Sequence, residues 1–156
     1  MKQTLIDSFS GEYDFLSNFY MIPLVYEGIT YTNSEAAFQA AKIFYPGDKE
    51  RTKEERMVFS DYSPSMAKKM GRRAITLRSD WESVKDGIML DILRAKFKQN
   101  PHLRRLLIET GDAVLVEGNT WHDCYWGDCH CPKCQSKPGK NMLGKLLMKV
   151  RNELKQ

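Results

Sequence analysis

The segment at residues 34–45 constrains the fold of this chain more than any other, because most of its side chains are apolar. Its charged and amide side chains, Glu35, Gln39 and Lys42, follow one another at i, i+4 and i+7 and would share one stripe of a helix. A helix that is apolar over the rest of its surface needs other elements packed around it. The segment therefore predicts a core helix whose polar stripe either meets solvent or lines a cleft.

Short strands and longer helices are predicted on both sides of this segment. Residues 5–31 have the composition of strands and turns, including a turn at Gly28. Apolar spacing and capping residues predict the other elements, which are a peripheral helix or loop at 49–60, a short helix from Pro64 to Gly71, a long helix from Asp80, a helix from Pro101 to Gly111, a strand at 113–116 and a last helix from Asn141. Because 156 residues is an ordinary domain length, we expect an α+β fold, a single compact, mainly helical domain with a small β-sheet over residues 1–156.

The charge is unevenly distributed along the chain. Residues 1–48 carry two basic and six acidic side chains, whereas the other 108 residues carry 22 basic and 14 acidic ones. Basic residues cluster at 68–73 and again at 94–105. These clusters are either solvated helix faces or a surface for a phosphate-bearing ligand.

The apolar residues are too dispersed to predict a membrane protein. No run of 18 apolar residues occurs, and the N-terminus lacks the apolar core of a signal peptide. We therefore expect a cytoplasmic protein with no membrane partner.

A predicted loop at residues 118–140 concentrates the reactive side chains. It holds all four cysteines, two of the three tryptophans and two of the three histidines. A long loop without regular structure is usually functional in a compact domain. Asp123 lies three residues before Trp126 and Gly127, so a carboxylate and a stacking ring fall in one turn.

The cysteines allow a zinc site, although their spacing differs from that of common zinc fingers. Zinc usually takes two ligand pairs that a folded stretch separates. Here the candidate ligands are crowded together; they are Cys129, Cys131 and Cys134, with Cys124, His122 or His130 as the fourth. Loop cysteines without a metal are therefore the first expectation, and structural zinc is the alternative.

Residues 139–145 imitate a phosphate-binding loop that would precede the last helix. Leu146 stands where such a loop needs Ser or Thr for magnesium, so an NTPase is excluded. A helix start with Asn141 and free backbone N–H groups remains, and it suits a phosphate or a sugar hydroxyl.

Six sequence segments, in this order, carry a resemblance to a known family. They are FLSNFY at 15–20, TNSEAAFQAAK at 32–42, DW at 80–81, KFKQN at 96–100, DCYWG at 123–127 and GKNMLGKLLM at 139–148. With them the chain resembles the NADAR family, also called YbiA-like, over about residues 9–151. The family resemblance implies an N-glycosidase, which hydrolyses the bond between ribose C1′ and a nitrogen.

The resemblance implies two substrate classes. One is ADP-ribose on guanine bases of DNA or RNA, and the other comprises the phosphoribosylamino-pyrimidine intermediates of riboflavin synthesis. Both join ribose to a flat heterocycle and carry phosphate, so the expected partner is a phosphate-bearing nucleotide or nucleoside. No cofactor is required for this hydrolysis.

The resemblance and the residue chemistry together predict catalytic roles. Glu35 would stabilise the positive charge that develops on the ribose and would orient water. Lys42, held by Gln39 and desolvated by aromatic side chains, would have a lowered pKa. It would protonate the leaving group or form a Schiff base with the opened sugar. Asp123 would bind ribose hydroxyls or share the acid–base work.

Further residues are predicted to bind the substrate. Aromatic side chains suit either stacking on the base or core packing. Those expected to clamp the base are Phe19, Trp81 and Trp126; the other predicted contacts are Asn18, Gln39, Gly127, Asn141 and Gly144. Ala36 and Ala37 stand where many relatives carry bulkier residues, which would widen the pocket.

Two other functions compete with the enzyme. One is a module that binds ADP-ribose or a nucleotide without cleaving it, and the other is a small zinc-bearing nucleic-acid binder. The complete stripe of Glu35, Gln39 and Lys42 favours the enzyme over the module. The cysteine spacing disfavours the zinc protein.

Overall fold

The computed structural model describes residues 5–134 and 136–156. Six α-helices, one 3₁₀ helix and three short two-stranded sheets are present in this part of the chain, which confirms the predicted α+β, mainly helical class. The elements in chain order are β1 (Leu5–Ile6), a 3₁₀ helix (Gly11–Leu16), β2 (Met21–Tyr26), β3 (Ile29–Asn33), α1 (Ser34–Ala40), α2 (Lys49–Met57), α3 (Pro64–Arg73), α4 (Trp81–Gln99), α5 (Pro101–Glu109), β4 (Val114–Leu115), β5 (Gly118–Asn119), β6 (Asp128–Cys129) and α6 (Met142–Leu154).

Backbone contacts divide the chain into two units. The middle unit is Asn18–Asn100, and the terminal unit joins Met1–Ser17 with Pro101–Gln156. The assignment of residues 1–156 to a single domain stays a prediction. In the described ranges, no helix is long and apolar enough to cross a bilayer.

The middle unit is built on a β-hairpin that leads directly into a buried helix. β2 and β3 pair antiparallel through a turn at Glu27 and Gly28, whose φ angles are +47° and +81°. Positive φ at both central residues matches the twist of a two-residue hairpin, and Gly28 adopts it without strain from a β-carbon. This confirms the predicted hairpin.

Helix α1 is buried along its whole length, with α3 and α4 packed against it. The Asn33 side chain caps its first turn by accepting the Ala36 N–H at 2.8 Å. The burial of every α1 side chain excludes the interpretation of the polar stripe as a solvent face.

The prediction that this helix continues to residue 45 is wrong. The helix ends at Ala40, and Arg78 donates hydrogen bonds to carbonyls that would accept the N–H groups of the next turn if the helix continued. The Arg78 N–H donates to the Lys42 carbonyl at 3.0 Å, and its guanidinium donates to the Ala41 carbonyl at 3.3 Å. Lys42 therefore lies just beyond the helix, in the turn that follows.

Other local predictions are partly corrected. Residues 11–16, predicted as strand and turn, form a 3₁₀ helix. Of the helix or loop predicted at 49–60, the structure has a helix at residues 49–57. The Asp80 side chain makes no cap bond to α4, because it accepts the Arg78 Nε–H at 2.6 Å instead.

The terminal unit pairs distant segments of the chain. β1 and β4 form a parallel pair with Leu5 opposite Val114, and α5 packs against α6. Within the loop predicted at 118–140, β5 and β6 also pair in parallel. This pairing brings residues 118–119 beside residues 128–129 and divides the loop into two shorter ones.

Gly71 allows α3 to approach α1. A β-carbon at this position would collide with the amide oxygen of Gln39. We expect Gly71→Ala to lower the free energy of unfolding by about 1–3 kcal/mol, because the buried amide would have to move. Urea denaturation monitored by circular dichroism measures the difference.

Gly87→Ala is the matched control, because no atom lies within 4 Å of a β-carbon built on Gly87 in α4. This control should stabilise the protein by up to about 1 kcal/mol through helix propensity. Equal stability of the Gly71→Ala variant and the wild type would contradict the close approach of the two helices.

Candidate active site

A carboxylate and an amide form a hydrogen-bonded pair on α1. Gln39 Nε2 donates to Glu35 Oε2 at 2.6 Å, and the two residues are only 5% and 9% exposed. Gln39 Oε1 is buried and has no hydrogen-bond partner in the described part of the chain. An unsatisfied buried acceptor costs about 1–3 kcal/mol, so this oxygen is suited to a donor from a ligand. Gln39 thus holds Glu35, and the prediction that it holds Lys42 is wrong.

Lys42 is half-buried against an aromatic wall. Its Nζ lies 5.7 Å from the centre of the Trp81 ring, and the Trp81 and Phe38 rings are 5.1 Å apart. Burial lowers the pKa of Lys42, and the positive charges of Arg72 and Lys68 lower it further, against the opposing effect of Glu35. The predicted lowering of the Lys42 pKa is therefore confirmed in direction.

Asn18 lies directly beside the start of α1. Its backbone carbonyl accepts the Glu35 N–H at 3.1 Å, and its Nδ2 lies 3.4 Å from the sulfur of Met89. Asn18 Oδ1 is a second buried oxygen without a hydrogen-bond partner among the residues described. Two unsatisfied acceptors, on Asn18 and Gln39, therefore accompany the Glu35 carboxylate in the middle unit.

The middle unit also contains charged residues that sequence reasoning did not connect with the site. Lys68 and Arg72 were predicted only as part of a basic cluster, yet both act on the charge of Lys42. Their i, i+4 spacing was the available signal, but it did not show which helix they would face. Lys68 Nζ also lies 5.9 Å from the ring of Phe19, which is 42% exposed.

The second basic cluster is not a continuous surface, because Lys96 is fully buried in α4. Its Nζ lies 5.2 Å from the Phe97 ring centre and 5.8 Å from that of Tyr20. The sequence grouped Lys96 with solvated or phosphate-binding charges, and its burial corrects that grouping.

In the terminal unit, Asp123 organises its own loop. Asp123 Oδ1 accepts the backbone N–H groups of Tyr125 at 3.2 Å and Trp126 at 2.9 Å. The Trp126 ring packs edge-on against Tyr125, with centres 4.9 Å apart. The proximity of Asp123 and Trp126 is as predicted, and their roles toward a substrate stay predictions.

The start of α6 does not offer the free N–H groups that the sequence suggested. Met142 and Leu143 donate their N–H groups to the carbonyls of Tyr125 and Trp126 at 2.9 and 3.0 Å. The prediction of an anion site formed by these donors is wrong, because the preceding loop already occupies them.

Asn141, Gly144 and Gly127 have structural contacts. The Asn141 side chain accepts the Glu117 N–H at 3.0 Å and donates to the Leu115 carbonyl at 2.8 Å. A β-carbon on Gly144 would collide with the Leu115 carbonyl, and one on Gly127 with the Glu117 carbonyl. These contacts explain the residue types through packing, and substrate binding by the three residues stays a prediction.

The cysteine-rich segment brings four metal-binding side chains together. His122, Cys129, Cys131 and Cys134 each offer one ligand atom, and these atoms lie within 4.8 Å of one another. This group could hold a metal ion. The objection from sequence spacing does not apply to the folded chain, because the β5–β6 pairing places Cys129 opposite Asn119, near His122.

The fold is that of a family of small hydrolases. The NADAR domain family matches residues 7–155, so the chain belongs to the NADAR family. It is 44% identical to N-glycosidase YbiA of Escherichia coli, an alignment that covers 99% of this chain and 91% of that protein. The chain is accordingly an enzyme, a hydrolase of N-glycosyl bonds.

A solved structure and two further relatives agree with this assignment. The NMR structure of the E. coli protein YbiA matches with a TM-score of 0.78 and 43% identity, over 99% of this chain and 87% of that one. The riboflavin biosynthesis protein VVA0006 of Vibrio vulnificus is 34% identical over 91% of this chain and 36% of its own length. The chloroplastic riboflavin biosynthesis protein PYRR of Zea mays is 37% identical over 59% of this chain and 15% of its own length.

The charges around Lys42 predict how its titration will respond to substitution. Arg72→Gln should raise the pKa of Lys42 toward its ordinary value, because a positive neighbour is removed. Glu35→Gln should lower it further, since the carboxylate is the group that favours the ammonium form. Reductive ¹³C-methylation followed by NMR titration measures both shifts.

Arg73→Gln is the control for this titration, because Arg73 is the neighbouring exposed arginine on α3 and is not among the charges that act on Lys42. A Lys42 signal that titrates identically in the Arg72→Gln and Arg73→Gln variants would disprove the assigned electrostatic environment.

Proposed function

We propose that this enzyme hydrolyses the bond between ribose C1′ and nitrogen in a phosphoribosylamino-pyrimidine intermediate of riboflavin synthesis. The hydrogen-bonded pair of Glu35 and Gln39, with the half-buried Lys42 one turn away, carries the proposal. The names of the Vibrio vulnificus and Zea mays relatives support this substrate class. The reaction uses water and side chains without a cofactor, and we place it in the cytoplasm.

Glu35 is the proposed carboxylate of the reaction. As the C1′–N bond breaks, positive charge develops on the ribose, and a carboxylate in a buried site stabilises it more strongly than one in water. The bond from Gln39 holds the carboxylate in one orientation. Water then adds to C1′ and gives its proton to a general base. The nitrogen of the pyrimidine leaves with a proton from a general acid.

Lys42 is the proposed acid. Its ammonium form would donate a proton to the departing nitrogen, and the lowered pKa eases that transfer. The neutral amine supports a second route, in which Nζ attacks C1′ of the opened sugar, releases the base and leaves a Schiff base that water hydrolyses. Both routes give the free sugar phosphate and the amino-pyrimidine.

The remaining groups of the middle unit supply binding. The unsatisfied oxygens of Asn18 and Gln39 would accept hydrogen bonds from ribose hydroxyls or the exocyclic amine. Lys68 and Arg72 would attract the phosphate, since both are positive charges close enough to lower the pKa of Lys42. The substrate roles of Asp123 and Trp126, which lie in the terminal unit, stay predictions.

ADP-ribose on guanine is the second candidate substrate. The exposed Phe19 ring with Lys68 beside it favours this candidate, because a surface ring and a cation suit a base that remains attached to a nucleic acid. A nucleotide-binding module without catalysis is the third possibility, and it requires binding with no product.

The deciding experiment incubates the pure protein with each substrate and follows the products by chromatography. Release of ribose 5-phosphate from the pyrimidine intermediate supports the proposal. Release of ADP-ribose alone would contradict it and identify the second candidate as the substrate. Glu35→Gln and Lys42→Met should each lower kcat about 10²–10⁴-fold, the usual loss for an acid–base group.

Glu54→Gln and Lys53→Met are matched controls on the exposed face of α2 and should leave kcat unchanged. Borohydride trapping separates the two routes, because only a Schiff base on Lys42 gives a covalent adduct that Lys42→Met abolishes. Full activity of both the Glu35→Gln and the Lys42→Met variants would refute the site.

A further inference from the structure

We propose that His122, Cys129, Cys131 and Cys134 bind one zinc ion that closes the loop carrying Asp123 and Trp126. The four ligand atoms already lie within 4.8 Å of one another, and they come from two separate segments of the terminal unit. This inference concerns the terminal unit alone and does not depend on the proposed function.

The distances fit a tetrahedral site. His122 Nδ1 lies 3.2 Å from Cys131 Sγ and 3.4 Å from Cys134 Sγ. Ordinary Zn–S and Zn–N bond lengths in a tetrahedron place nitrogen and sulfur ligands about 3.6 Å apart. For these two pairs, a zinc ion needs only a small increase of the nitrogen–sulfur distance.

The backbone supports the ligands as well. Cys129 Sγ accepts N–H groups from His122 at 3.3 Å and from Cys131 at 3.5 Å, an arrangement that stabilises a thiolate ligand. Cys131 and Cys134 flank a tight turn in which the Cys134 N–H bonds the Cys131 carbonyl at 3.0 Å, so both sulfurs come from one turn.

His122 has a strained backbone. Its φ angle is +68°, in the left-handed region, where residues with a β-carbon are uncommon and persist when their surroundings hold them. A metal bond to Nδ1 supplies such a restraint. Coordination of a metal by His122 would explain both its strained backbone conformation and the position of its imidazole beside two thiols.

The chemistry of the ligand set selects zinc. Three thiolates and one imidazole are one of the standard closed sets of structural zinc, with four ligands and no open position. Calcium and magnesium prefer oxygen ligands, which this cluster lacks. The four cysteines form no disulfide in the structure, so their sulfur atoms are free to bind a metal.

The metal would fix the loop at residues 122–129. His122 precedes Asp123, whose carboxylate holds the Tyr125 and Trp126 N–H groups, and Cys129 closes the other end in β6. The carbonyls of Tyr125 and Trp126 in turn accept N–H groups of α6. Zinc binding would thus stabilise the geometry of this loop without taking part in bond cleavage.

The test measures zinc by mass spectrometry in the full-length protein, purified under reducing conditions and dialysed with zinc. We expect about one zinc per chain, and Cys131→Ser should lose most of it. His122→Ala should bind zinc at least about tenfold more weakly, whereas the control His130→Ala should bind it normally, since the exposed His130 is outside the cluster. Circular dichroism of each variant shows whether it has folded.

Cobalt substitution provides a second readout on the wild-type chain, which avoids any folding defect of a variant. Tetrahedral Co²⁺ with three thiolates and an imidazole absorbs visible light at wavelengths that differ from those of a four-thiolate site. Chelation should also speed hydrogen exchange at the Trp126 amide about tenfold or more and leave α1 unchanged.

Three results would overturn the proposal. A reduced wild-type chain that retains no zinc after dialysis would exclude the site, as would native disulfides among the four cysteines. If His130→Ala lost zinc while His122→Ala kept it, the ligand set assigned to the cluster would be wrong.

Discussion

The middle unit depends on burying a carboxylate–amide pair in a helix that is otherwise apolar. A charged group removed from water is stable only when other groups hydrogen-bond it, and Gln39 does this for Glu35 at 2.6 Å. The neighbours of α1 are adapted to the pair. Gly71 leaves space for the Gln39 amide, and Arg78 ends the helix so that Lys42 falls in the following turn.

The same burial explains why this helix is suited to chemistry. Gln39 Oε1 and Asn18 Oδ1 are buried and unsatisfied among the residues described, a cost that folding alone would not favour. Lys42 lies where burial lowers its pKa, so its proton is held less firmly than on an exposed lysine. A carboxylate, an amine and two unsatisfied hydrogen-bond acceptors are the groups that the proposed hydrolysis of a C1′–N bond would use.

In the terminal unit, polar contacts of the backbone hold the loop before α6. The loop before α6 uses its carbonyls to bond the first N–H groups of that helix, and Asn141 ties the helix start to the strand end at Leu115. Such contacts explain why this segment is rich in glycine, asparagine and aspartate. They also leave the helix start without the donors that a phosphate would need.

Much of this was readable from the sequence, because local patterns depend on side-chain periodicity. The apolar spacing of residues 34–45 indicated a buried helix, its polar residues indicated the carboxylate and the amine, and ordered motifs indicated the family. The contact partners of these groups could not be predicted from the sequence. That Gln39 bonds Glu35 rather than Lys42 depends on the rotamer that packing permits, and the burial of Lys96 depends on which face of α4 meets β2 and its neighbours.

The sequence by itself determined most of the helices, the turn at Gly28, the family and the residue types of the candidate site, since each follows from short-range spacing or an ordered motif. Only the tertiary structure decided which distant residues meet. The parallel pairing of β5 with β6 places Cys129 near His122, and the packing of α3 on α1 places Arg72 and Lys68 where they act on Lys42. Such contacts form between segments far apart along the chain, so no local pattern of residues encodes them.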